Sequence, residues 1–501
     1  MNSVITSSWV LALAPEISLL VLLIIVLIYD RLIKPEERRQ IGLVSAWGAT
    51  VILLLTLGLW LFGNEPNVQA SLRDSLIWGG MLRHDLITLV FRVMFLVALI
   101  VTSLISMDVE KLQRGEYFAL LITATVGFSL MASASDLIML YIGLETASIS
   151  SYVLAGFLTK DMRSPEAGMK YFVYGAFATG VMLYGLSLLY GITTQTNLYV
   201  IGSILTGAQA IPVEANAVLL LSAAMIVVGF GFKIAAVPFH FWTPDVYEGS
   251  PTPFTAFVST ASKAAGFAVF IRVFTAGALG TPNPSREWWA MLVAMCIVTM
   301  TLGNLAAIYQ KNIKRLLAYS SIAQAGYAMI GLVTFTPDGS GAAMFYLLMY
   351  VFTNIAAFGV IILVSNITGS EDLDDFRGLS RRSPYLAMIM LVALLSLGGI
   401  PPTAGFLGKF YLFRAAVNAG LWGLALIGIL NAFVALYYYL SIVKYMYLYR
   451  SEEEHISIPV SRAAQVGLAF STFFVLLLGV YSGPAFEWTL NAANAFYALI
   501  G

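Results

Sequence analysis

Four charged side chains stand inside long apolar runs of this sequence. They are Glu145 in LIMLYIGLETASISSYVLAGF, Lys233 in VVGFGFKIAAVPF, Lys263 in STASKAAGFAVF and Lys409 in GGIPPTAGFLGKFYLF. A lysine at the centre of a membrane helix costs about 2.5–3.5 kcal/mol on insertion scales, so four such charges cost on the order of 10 kcal/mol before any pairing. Structural ion pairs would account for one isolated charge. Four charges, one of them central in its run, point instead to a polar path. The chemistry that suits them is proton transfer. Burial weakens a lysine's hold on its proton and a neighbouring carboxylate strengthens it, so a Glu–Lys pair that opens and closes can unload and reload the amine. Arginine never deprotonates, and a sodium or potassium site would call for oxygen ligands rather than ammonium groups. Moving one charge against 100 mV costs about 2.3 kcal/mol. A two-unit change in a lysine's proton affinity is about 2.7 kcal/mol, so the scale is adequate.

The elements that must position these groups are membrane helices. The chain has 501 residues, of which 59% are hydrophobic and 11% charged, against about 25% charged in soluble domains. Its zero net charge gives no footprint for nucleic acid. The single cysteine, Cys296, and the scattered His84, His240 and His455 offer no disulfide, iron–sulfur or metal-ligand spacing. No glycine-rich phosphate loop is present, so the chain by itself lacks the residues to hold a redox cofactor. The run from Leu11 to Tyr29 is too long for a signal h-region and reads as a retained first span.

Apolar segments predict fourteen helical spans, near 11–30, 41–62, 84–107, 117–134, 136–158, 167–190, 217–238, 251–277, 288–309, 313–335, 341–366, 385–413, 421–447 and 463–482. Loops after the odd-numbered spans carry 18 of the 27 basic residues, which places those loops in the cytoplasm and both termini outside. Arg272, near a helix end, is expected to snorkel, and Arg92 to be structural. Pro238 follows Lys233, and Pro401 and Pro402 precede Lys409, so both segments should be broken helices of the kind transporters place beside charged groups. HFWTPDVYEGSPTP should be a cytoplasmic turn with an N-cap-like Thr243-Pro244. Polar stripes at helical spacing mark a wet interior: Tyr141, Glu145, Ser148 and Tyr152 on span five, Ser320, Gln324 and Tyr327 on span ten, and Tyr346, Tyr350, Thr353 and Asn354 on span eleven.

The spacing also suggests a repeat. Lys233 and Lys409 are 176 residues apart, and SYVLAGF at 151–157 resembles GYAMIGL at 326–332 at an offset of 175. That register pairs Glu145 with Ser320 and Lys263 with Tyr438. Two units of five helices each, four to eight and nine to thirteen, would be inverted because their helix number is odd. The expected organisation is therefore 1–110 for helices one to three, 111–280 for the first repeat, 281–450 for the second and 451–501 for helix fourteen.

PFHFWTPDVYEGSPTP, GLETASISSYVLAGF, KRLLAYSSIAQAGYAMIG and GGIPPTAGFLGKFYLF resemble the antiporter-like membrane subunits of respiratory complex I, the proton-pumping NADH–quinone oxidoreductase, and most closely the subunit N branch. The resemblance covers nearly the whole chain. It implies an all-α fold of fourteen helices with two inverted five-helix repeats and broken helices seven and twelve. It places the family's proton-relay residues at Glu145, Lys233, Lys263 and Lys409. It implies that this chain binds no cofactor, and that NADH, FMN, iron–sulfur clusters and quinone belong to partner subunits in the bacterial inner membrane. Subunits L and M and the multisubunit cation/proton antiporters usually carry a histidine-bearing segment where this chain has STASKAAGF, and a tryptophan before the helix-five glutamate where it has GLE. Subunit L also extends into a lateral helix beyond helix fourteen, and this sequence stops at Gly501. A sodium/proton antiporter subunit is the runner-up reading, and the lysine of helix eight argues against it. A purely structural membrane subunit is a third, and four buried charges argue against that.

Overall fold

The computed structural model describes residues 7–62, 75–206, 213–276, 286–451 and 456–500. Helices stand at all fourteen expected positions. They are α1 (Ala14–Leu32), α2 (Gln40–Phe62), α3 (Leu86–Ser106), α4 (Gly115–Ser133), α5 (Leu137–Ala155), α6 (Arg163–Thr193), α7 (Val213–Ile234) with its short continuation α8 (Trp242–Gly249), and α9 (Thr252–Thr275). There follow α10 (Arg286–Ala307), α11 (Ile313–Leu332), α12 (Pro337–Thr368), the pair α13 (Pro384–Gly398) and α14 (Ala404–Asn418), α15 (Trp422–Tyr447), α16 (Arg462–Val480) and α17 (Gly483–Tyr497). Among the described residues, eleven helices are long and apolar enough to cross a membrane. The remaining expected spans fall short for physical reasons. α1 carries Glu16, Asp30 and Arg31, α11 is rich in Ser, Tyr and Gln and begins with Lys314 and Arg315, and 385–413 is split in two.

Local signals set the helix ends. Asp85 heads α3 and accepts from Thr88 N, Asp136 heads α5 and accepts from Ile138 N, and Asn312 heads α11 and accepts from Arg315 N. Each satisfies an amide that the first turn leaves free. The membrane sides differ in what they show. α1 turns Ile17, Val21, Ile24 and Ile28 outward, whereas α9 and α12 are buried along their entire apolar windows. The bundle is therefore built around α9, which carries Lys263, and α12.

Two expectations about the fold need correction. HFWTPDVYEGSPTP is not a turn, because Trp242–Gly249 is helical and Thr243 is buried inside it with Phe241 at the N-cap. Segment 451–501 holds two helices rather than one. The second, α17, is short and carries Glu487 and two Asn, which hides it from a hydropathy reading. A two-stranded hairpin, β1 (Ser75–Ile77) and β2 (Leu82–His84), precedes α3 and was also unforeseen.

Candidate functional site

Lys233 lies in the last turn of α7. The helix stops two residues later because Ala235 adopts φ 62° and Pro238 has no N–H to donate. The freed backbone groups find other partners. Ala236 N reaches back to Gly231 O at 2.8 Å, Val237 N donates to Thr299 Oγ1 at 3.0 Å, and Phe232 O accepts from Trp242 Nε1 at 3.0 Å. The second break is made differently. α13 ends at Gly399 with φ 83°, where Gly399 N and Ile400 N both return to Leu395 O at 2.9 Å, a left-handed helix cap.

At that break the lysine itself is a partner. Lys409, in the second turn of α14, donates from Nζ to Leu397 O at 2.8 Å and Gly398 O at 3.2 Å, and sits 4.7 Å from the Tyr327 ring centroid. An ammonium group is thus held at the negative end of a helix dipole. Lys233 precedes its break and Lys409 follows its own. An offset that aligns the two lysines therefore does not align the two breaks, which corrects the 176-residue register across this pair of helices.

Lys233 is buried and donates from Nζ to Ser148 Oγ on α5 at 3.0 Å, with the Phe128 ring centroid at 5.6 Å. Ser148 is one turn beyond Glu145. No ion pair joins Glu145 to Lys233 among the described residues, and Glu145 is half-buried on the same helix as Ser148. Among the described residues, Glu145 Oε1, Tyr152 OH and Ser262 Oγ have no hydrogen-bond partner. Buried polar atoms of this kind are normally served by ordered water. The stem of Lys233 crosses α9 at Gly266, where a Cβ would come within 3.3 Å of Lys233 Cγ. That crossing is one turn from Lys263, and a π-helical turn, Val258–Ser262, immediately precedes this lysine.

Lys263 Nζ donates to Ser321 O on α11 at 2.5 Å. From there polar contacts continue along α11 in two sets, one at Ser321 and one from Ser320 to Leu397 O. Ser321 Oγ accepts from Tyr350 OH at 2.9 Å. Its neighbour Ser320 meets Tyr439 OH through Oγ at 2.5 Å. Gln324 Nε2 donates to that same Tyr439 OH at 2.9 Å and to Leu397 O at 3.1 Å, while Gln324 Oε1 accepts from Tyr346 OH. Leu397 O is the carbonyl that Lys409 caps. α11 therefore carries a line of polar groups from one lysine to the other. The same stripes touch neighbouring helices through Asn354 Nδ2 to Ser259 Oγ at 2.7 Å and through Thr353 with Ser396 Oγ at 3.1 Å. Residues 111–280 are tied to 281–450 by the Asn354–Ser259 contact and also by carboxylates, since Arg315 meets Asp245 at 2.8 Å and Glu248 at 2.9 Å.

Three other interior cations are paired. Arg92, expected to be structural, meets Glu16 at 2.7 Å and also contacts Ser129. Arg272 does not snorkel. It is 1% exposed and meets Asp85 at 2.6 Å, with Nε donating to Ala132 O at 2.5 Å. Lys314, counted among loop residues, is buried and contacts Glu371 at 3.0 Å and Ser250 O at 2.8 Å. Asn304 and Asn431 were not foreseen. Asn304 donates to Tyr327 OH at 3.1 Å and accepts from Tyr438 OH at 2.9 Å, and its only sequence signal is a polar residue within an apolar span.

A family model described as NADH:quinone oxidoreductase/Mrp antiporter, TM, matches residues 134–435, the stretch that holds all four charged groups. NADH-quinone oxidoreductase subunit N from Moorella thermoacetica is 44% identical, covering 93% of this chain and 94% of that relative. The chain belongs to the subunit N family of NADH-quinone oxidoreductase. Subunit N from Anaeromyxobacter sp. is 42% identical over 96% of both chains. A chain of respiratory complex I from Thermus thermophilus superposes with a TM-score of 0.77 at 32% identity, covering 94% of this chain and 98% of that one. A chain of the Mrp complex from Dietzia sp. superposes with a TM-score of 0.81 at 20% identity, covering 99% and 100%, and is a likeness of fold alone. A member of the subunit N family is an integral, multi-pass membrane protein, as the apolar helices of this chain require.

Proposed function

We propose that this chain is the proton-carrying membrane subunit of an NADH–quinone oxidoreductase, in which electrons pass from NADH to quinone in other subunits. The observation that carries the reading is the row of buried polar groups that α11 sets between Lys263 and Lys409, in a chain of the subunit N family. Glu145, Lys233, Lys263 and Lys409 are the relay. Glu145 modulates Lys233 from a distance and Ser148 holds the amine between proton transfers. Water serves the orphaned hydroxyls between Lys233 and Lys263. Lys409, held by helix carbonyls and not by a carboxylate, releases its proton without breaking an ion pair. The chain itself holds no redox cofactor. FMN and iron–sulfur clusters belong to partner subunits. Residues 111–280 and 281–450 act as inverted halves of the path, and the basic loops face the cytoplasm, with both termini outside.

The test has two parts. Native electrophoresis of mildly solubilised membranes should place the chain in a large assembly that stains for NADH oxidation. Lys233→Ala, assembled at the unmodified level, should then pump fewer protons per NADH oxidised. An unchanged ratio would remove Lys233 from the relay, and migration in a small assembly without NADH oxidation would favour an antiporter subunit.

A further inference from the structure

A groove of about 790 Å³ lies between α2, α3 and α16, and none of the lysine-path residues lines it. Its walls are apolar and include Leu43, Trp47, Val101, Leu104, Val466 and Phe470. Its volume falls within the roughly 300–1,000 Å³ range typical of small-molecule sites. The groove has a direction. Arg39 lies just before the first residue of α2, and Arg462 is the first residue of α16, so both line the same end. The walls run inward along α2 as far as Leu53, about 20 Å at 1.5 Å per residue. That is the depth of one leaflet with its interface, given a hydrocarbon core of about 30 Å.

The charged end is built. Asp108 accepts from Arg39 at 2.6 Å and from Ser461 Oγ at 2.7 Å, which fixes the Arg39 guanidinium beside the start of α16. Ser461 caps that helix by accepting from Ala464 N. Arg462 is exposed and forms no ion pair among the described residues. Two arginines and a helix N-terminus face one aspartate, so the end carries net positive charge. Arginine pairs are suited to the oxygens of a phosphate.

We propose that this groove binds an anionic glycerophospholipid of the leaflet on the basic-loop side, with its phosphate at Arg39 and Arg462 and an acyl chain along Trp47 and Phe470. Basic pockets between membrane helices on the cytoplasmic side have this chemistry. An apolar groove in a membrane is filled by hydrocarbon in any case. The arginines are what select an anionic head and hold one lipid through exchange.

The experiment uses the chain in the membrane assembly with which it purifies. The assembly is stripped of loose lipid, incubated with phosphatidylglycerol or phosphatidylcholine, washed in detergent and weighed by native mass spectrometry. The unmodified assembly should retain phosphatidylglycerol at least ~10-fold better than Arg39→Gln/Arg462→Gln, with phosphatidylcholine retained poorly by both. Arg462→Gln alone, which leaves the Arg39–Asp108 contact intact, should lie between them and guards against misfolding of the double variant. Equal retention of both lipids would overturn the proposal, as would phosphatidylglycerol retention that ignores the arginines. Failure of the unmodified assembly to retain either lipid, as expected if a neighbouring subunit fills the groove, would overturn it as well. None of these outcomes depends on proton pumping, so the functional reading stands or falls separately.

Discussion

Replacing Lys409 by arginine or by methionine separates two roles that the structure gives to one amine. The first role is structural. Nζ caps Leu397 O and Gly398 O, two carbonyls that the end of α13 leaves without helical partners. A hydrogen bond to a charged group contributes about 1.5–3 kcal/mol, so losing both costs roughly 3–6 kcal/mol. Lys409→Met removes both bonds in a side chain of similar length. It should lower the amount of assembled complex severalfold, read by immunoblot of native gels. The second role is to accept and release a proton. Lys409→Arg keeps the charge and the donors, yet its guanidinium cannot deprotonate. Its fit is tight, because a Cβ at Gly399 would already lie 3.0 Å from Lys409 Cδ, so assembly should fall modestly. Pumping measured in vesicles, normalised to assembled complex, should fall at least ~10-fold, the factor that about 1.4 kcal/mol of added barrier gives. Pumping by Lys409→Arg within a factor of two of the unmodified complex would refute deprotonation at this position. Full assembly of Lys409→Met would refute the capping argument.

Other substitutions probe the same frame. Ala235→Gly relieves a left-handed φ in a residue with a Cβ, about 1–2 kcal/mol, and should lengthen the half-life of the solubilised complex on heating; a shortened half-life would contradict the strain. Gly405→Ala should abolish assembly on a blot, because a Cβ there would stand 1.7 Å from Ser396 O. Arg272→Gln leaves buried Asp85 with only a 4.0 Å contact to Arg83 and should cost about 3–5 kcal/mol, whereas Arg272→Met with Asp85→Leu should recover part of the assembled complex, because a buried pair is worth little against apolar groups of similar volume while the lost helix cap of α3 still costs about 1 kcal/mol. Gln324→Leu cuts the line between Tyr439 and Leu397 O. It should slow pumping several-fold in assembled complex, and pumping at the unmodified rate would show that protons do not use this line.

Much of this arrangement was legible in the sequence because membranes price charge steeply. Glu145, Lys233, Lys263 and Lys409 stood out for that reason alone, and the stripes through Ser148, Ser320, Gln324, Tyr350, Thr353 and Asn354 proved to be the side chains that meet across helices. The less legible parts depend on distance in space. Nothing local tells that Arg272 meets Asp85, nearly two hundred residues away, rather than water at the membrane surface. Hydropathy alone could not detect α17, and loop counting placed Lys314 outside when it reaches back to Ser250 O and Glu371.

The two broken helices show most clearly why spacing was not enough. Prolines beside lysines correctly announced two breaks, and equal intervals then invited the idea that the two lysines are counterparts. Yet one lysine ends the helix before its break and the other begins the helix after it, and their partners differ accordingly. Lys233 faces Ser148, and the carboxylate of Glu145 stands one helical turn from that serine. Lys409 faces backbone carbonyls alone, with an aromatic ring beside it. A carboxylate can be moved away or neutralised, so the hold on the first amine is adjustable, whereas the carbonyls of a helix end are fixed by the fold. The adjustable site is thus the one able to respond to a signal from outside the chain, and the fixed site is suited to passing on whatever proton reaches it. On this argument, removing the carboxylate by Glu145→Gln should alter the response of pumping to NADH oxidation while leaving Lys409 and its helix cap undisturbed.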